Sequence, residues 1–93
     1  MTAKKWKLLE GMRASKANWK PRDLKRLVTG FGFHVRKGGN HDIFIHPIHG
    51  LMGTIPRHTT VDKAYVDDAV KKVDMLLALE QETDNENRPE EQS

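Results

Sequence analysis

The stretch FHVRKGGNHDIFIHPIHGLMGTIP, residues 33–56, decides the fold. It divides into three short strand-like runs separated by turn chemistry. Phe33–Arg36 is the first run, and Lys37-Gly38-Gly39-Asn40 follows as a hairpin turn, because Gly-Gly-Asn accepts positive φ. Asp42–His46 is the second, closed by Pro47. His49-Gly50 makes another turn, and Leu51–Ile55 is the third run before Pro56. Ile43-Phe44-Ile45 is a continuous apolar triplet, so alternation leaves the buried face undecided, and with it the facing of His41 and His46.

Helical signals flank this stretch. Upstream, Pro21 suits a first helical position, where its missing N–H is an orphan anyway, and Asp23 places a negative charge in the first turn. Leu24, Leu27, Val28 and Phe31 then recur as one apolar stripe, and Gly30 and Gly32 supply the stop. Downstream, a helix is expected to start around Thr59–Asp62, with Thr59 as its cap. Val66, Ala69, Val70, Val73, Leu76 and Leu77 give it the cleanest periodicity in the chain. The order α-β-β-β-α implies an α+β domain, a three-stranded antiparallel sheet with two helices on one face. Residues 19–79 form this domain. Residues 1–18 form a basic extension in which Trp6, Leu8, Leu9 and Met12 allow a short helix, marginal alone and interrupted by Gly11. Residues 80–93 have no apolar residue and contain Pro89, so they are expected to be disordered.

The 93 residues hold 16 Lys+Arg, 13 Asp+Glu and no cysteine, which excludes a disulfide framework, a thiolate metal site and a cysteine nucleophile. Apolar runs span only a few residues, so no membrane span or signal-peptide core is expected, and the simplest address is the cytoplasm. The net charge of +3 conceals an asymmetry. Residues 80–93 carry six acids and one base, whereas residues 1–40 carry 11 bases and two acids. Such a surplus suggests a polyanion partner, nucleic acid first, with the acidic tail competing for the same surface.

Five histidines, His34, His41, His46, His49 and His58, fall within 25 residues. No HExxH, no His pair at helical spacing and no cysteine accompany them, so neither a metal nor another cofactor is expected. His41 differs in its neighbours, since it follows the Gly-Gly-Asn turn with Arg36 and Lys37 just upstream. RNA can be cleaved when a base takes the 2′-OH proton and cations stabilise the pentacovalent phosphate, and imidazole has the intrinsic pKa for that task.

Residues 19 to about 73 resemble the HicA family of toxins, small mRNA interferases of toxin–antitoxin pairs. The carrying residues are Asp23-Leu24 and Leu27, Gly32-Phe33, Gly39-Asn40-His41, Phe44, His46-Pro47 and Ile55-Pro56-Arg57-His58, in order and spacing. Asn40 stands where the family has Ser, and Lys63-Ala64-Tyr65-Val66-Asp67-Asp68 replaces a basic Gly-Thr-Leu-Arg segment. The resemblance implies a fold like double-stranded RNA-binding domains, with His41 as catalytic base presented by the turn Gly38, Gly39 and Asn40. It implies RNA as substrate and a HicB-like antitoxin as partner. Arg36 and Lys37 would then hold the phosphate, and Lys20, Arg22, Lys25 and Arg26 would steer RNA. The alternatives are a non-catalytic RNA-binding domain of the same fold and a module that docks an acidic protein.

Overall fold

The computed structural model describes residues 2–57 and 60–86, with the side chains of residues 2–3 and 82–86 left aside. The elements run α1 (Thr2–Ala14), α2 (Pro21–Gly30), β1 (His34–Lys37), β2 (His41–Ile45), β3 (Met52–Pro56) and α3 (Lys63–Glu86). The three strands form one antiparallel sheet in the order β1-β2-β3. His34 faces Ile45 and Lys37 faces Asp42 across the first pair, while His41 faces Pro56 and Ile45 faces Met52 across the second. This is the α+β architecture that the turn and periodicity signals imply.

Each strand lies within a residue of its expected place, and the offset in β1 has a cause. Gly32, at φ 93°, donates to Thr29 O, and Phe33 N–H donates to Val28 O. These are the two bonds of a Schellman stop, which commit Phe33 to ending α2, so pairing begins at His34.

The helix-covered face of the sheet carries Val35, Asp42, Phe44 and Ile55, packed beneath Leu24, Leu27 and Val28 of α2 and Val66, Ala69, Val70, Val73 and Leu76 of α3. Phe33 and Phe44 meet edge to face at 5.4 Å. Helix α3 passes directly over Gly53, where a Cβ would lie 2.5 Å from Phe44 Cζ and 2.7 Å from Asp68 Oδ2.

The short helix allowed near the start is α1, 13 residues whose Leu9 and Met12 are fully buried in the common core, so it packs on the domain. Gly11 does not break it, since its bare backbone lets the Trp19 ring pack alongside. At α3, Asp62 caps the start, its Oδ1 accepting from Ala64 N at 3.1 Å; the cap expected at Thr59 lies outside the described residues. The same helix continues to Glu86, through half of the segment expected to be disordered. Residues 87–93 lie outside the described residues. Among the described residues, no helix is long and apolar enough to cross a membrane.

Candidate active site

The β1–β2 turn is built around a close backbone approach. Any side chain on Gly38 would collide with the carbonyl oxygen of His41, so glycine is required there. Arg57, just past β3, then fastens the turn from beneath. Its Nη1 donates to Gly39 O and its Nη2 to Gly38 O, each at 3.0 Å. The same guanidinium donates to Asp42 Oδ1 through Nε at 3.0 Å and Nη2 at 2.8 Å.

Asp42 is the hub of this assembly. Its side chain is 4% exposed, and Lys25 Nζ reaches its other oxygen at 2.8 Å. Hydrogen bonds from Lys25 and then Arg57 hold its carboxyl below the ordinary value of 3.8, outweighing burial, which acts the other way. Helix α2, the turn and the end of β3 are thereby tied to one carboxylate. In the sequence Asp42 is only the start of a strand-like run, and Arg57 carries no role beyond the segment it shares with His58. Their partnership spans 15 residues and has no local signature.

His41 opens β2 with its side chain half-buried. Its Nε2 lies 3.4 Å from the Tyr65 hydroxyl, and the two rings are 5.9 Å apart at 34°. Tyr65 sits in the first turn of α3, and sequence reading gave it no part in the site. The pleat places Arg36, opposite Ile43, on the face of the sheet that also carries His41, and Lys37, opposite Asp42, on the other. The two cations expected to hold one phosphate side by side therefore point to opposite faces. Arg36 is exposed and, among the described residues, has no ion pair. On α2, Lys25 is committed to Asp42, whereas Lys20, Arg22 and Arg26 are exposed.

The remaining histidines divide by environment. His46 is buried, edge to face with Phe33 at 5.2 Å, and its Nδ1 accepts from the backbone N–H of Ile48 at 3.2 Å and His49 at 3.3 Å. It organises the β2–β3 turn, and burial, with His49 nearby, lowers its pKa below 6.5. His34 is exposed on β1, and His58 lies outside the described residues. Among the described residues, no three His, Asp or Glu side chains gather as a metal site.

Beside His41 lies an open groove of about 610 Å³, lined by Ala17, Asn18, Pro56, Thr60, Val61, Asp62, Lys63 and Tyr65. Two of its walls, Tyr65 and Pro56, are the residues against which His41 stands. A backbone bond from Val61 N to Trp19 O at 2.8 Å joins the loops on either side. Comparisons with family models, with curated proteins and with solved structures give no match for this chain.

Proposed function

We propose that this chain is an RNA-cleaving enzyme, a HicA-like mRNA interferase acting in the cytoplasm and held inactive by a HicB-like antitoxin. One observation carries the reading: His41 stands against Tyr65 and Pro56, two residues that line a groove, at the end of a turn that Arg57 and Asp42 fix in place. In the reaction the imidazole of His41 takes the 2′-OH proton. The 2′ oxygen attacks the adjacent phosphorus and the 5′ oxygen leaves with a proton from solvent, giving a 2′,3′-cyclic phosphate and a 5′-hydroxyl. Arg36, on the face of His41, supplies positive charge to the phosphate oxygens as they gain charge. Lys20, Arg22 and Arg26 draw the RNA backbone to α2, while Lys25 acts chiefly through Asp42. Lys37, on the far face, contributes to capture rather than to the reacting phosphate.

The test is RNA cleavage by the purified chain beside a His41→Ala variant, with RNA binding measured in parallel. Base catalysis is worth about 10²–10⁴-fold, so cleavage should fall by that factor while binding persists. The His41 ring touches Tyr65 but fills no core position, so the unfolding midpoint should hardly move. Wild-type protein that binds RNA without cutting it would instead favour the non-catalytic RNA-binding domain.

A further inference from the structure

We infer that the groove between the α1–α2 loop and the start of α3 is a nucleobase pocket, seating the base next to the phosphate presented to His41. The inference rests on the RNA reading above and adds to it the element that selects where the RNA is read.

Size and lining support this assignment. A groove of about 610 Å³ falls in the range of small-molecule sites, which combine apolar walls with a few convergent polar groups. Here Tyr65 gives the accessible apolar surface, Pro56 and Val61 being almost fully buried, and its aromatic ring is one on which a base can stack. Asn18, Thr60, Asp62 and Lys63 place amide, hydroxyl, carboxylate and ammonium groups at the rim, a set able to read the hydrogen-bonding edges of a base. Asp62 is partly occupied in capping α3.

Asn18 is exposed and, among the described residues, its side chain has no hydrogen-bond partner. Its backbone is held at φ 67°, the only non-glycine residue with positive φ among those described. Asn18 lines the groove from a loop anchored by Trp19 Nε1 donating to Ser15 O at 2.8 Å. Tyr65 joins the pocket to the chemistry, since the same side chain lines the groove and lies 3.4 Å from His41 Nε2. A base stacked on Tyr65 would hold its own ribose phosphate near the imidazole.

The test uses the full chain and the 5′-monophosphates of adenosine, guanosine, cytidine and uridine, titrated singly while backbone amide resonances are followed. The expected result is that shifts centre on Asn18, Thr60–Lys63 and Tyr65, with one nucleotide bound more tightly than the rest. Tyr65→Ala should weaken all four about tenfold or more, and Tyr65→Phe should retain binding because the stacking face survives. Asn18→Gly keeps the positive φ and the fold, and should erase the preference among bases by lowering the preferred nucleotide's affinity to that of the others. Shifts confined to α2, no shifts at all, or an unchanged preference in Asn18→Gly would overturn the pocket. An RNA-cleavage profile mapped on the same variants separates the two readings. Pocket binding without any His41-dependent cleavage would remove the nuclease and keep the pocket. His41-dependent cleavage with site choice unaltered in Asn18→Gly and Tyr65→Ala, and no pocket shifts, would remove the pocket alone.

Discussion

Arg57 and His46 show how single side chains hold the site in shape. Arg57 bridges a buried carboxylate and two turn carbonyls, so Arg57→Ala removes four hydrogen bonds and leaves Asp42 with Lys25 alone. Hydrogen bonds to charged groups are worth about 1.5–3 kcal/mol each in favourable settings, but Arg57 is 41% exposed and its contacts are partly screened. A loss of about 1–3 kcal/mol in urea unfolding is expected, with a larger relative fall in cleavage because His41 is no longer held; unchanged cleavage would mean the turn is rigid without its clamp. His46 gives a pH signature. Its folded pKa lies below 6.5, so the unfolded chain binds the proton more readily. Its contribution to stability is intact above about 6.5 and is lost as pH falls through the lower folded value. The urea midpoint should therefore drop on acidification from pH 7, and His46→Gln should flatten that drop while costing stability at pH 8. Asp42 acts in the same direction further down, since its folded pKa is also lowered: its stabilisation is present above about 3.8 and disappears as pH falls through the folded value.

Elements were legible where the signal is local and illegible where it is a meeting of distant parts. The stripe of α2 and the period of α3 each follow from neighbouring residues and occur as read. The Gly-Gly-Asn turn falls where expected but without the positive φ read for it, which among the described glycines belongs to Gly32 and Gly50. Gly11 looked like a helix breaker because the residue it accommodates, Trp19, is eight positions away and no pattern links them. Residues 80–86 looked disordered because they carry no apolar face. Helix propagation needs no such face once a packed segment has nucleated it, and Glu and Gln are good formers. The groove and the Tyr65–His41 contact were equally invisible, since 24 positions separate those two residues. Gly53 is a further case, since nothing local marks it as the contact point of β3 with α3. Gly53→Ala would drive a methyl into Phe44 and Asp68 and should cost about 1–3 kcal/mol, as overpacking does. An unfolding midpoint equal to wild type would show that α3 can lift away from the sheet without penalty.

At the scale of the molecule, α3 sets the start of the acidic run apart from the His41 end. The long axis measures 53 Å against 27 and 24 Å for the other two. Tyr65 lies at the start of α3, beside His41, and the acidic run begins at its far end. At 1.5 Å per residue, Glu82 is about 25 Å along the helix from Tyr65 and Glu86 about 30 Å. The expectation that the acidic end competes for phosphate at the basic surface therefore needs a range. The Debye length is about 8 Å at 0.15 M salt and about 30 Å at 0.01 M, so the acids reach the His41 end only in dilute salt. Truncation after Gln81 removes five acids and one base, beyond Leu76, the last buried residue among those described, and should leave the unfolding midpoint nearly unchanged. RNA affinity of the truncated chain should rise at 0.01 M ionic strength and equal that of the full chain at 0.15 M, with cleavage of bound RNA the same in both. Equal tightening at the two salt concentrations would mean that the acidic end lies against the RNA surface. The separation along α3 would then not govern how that end acts.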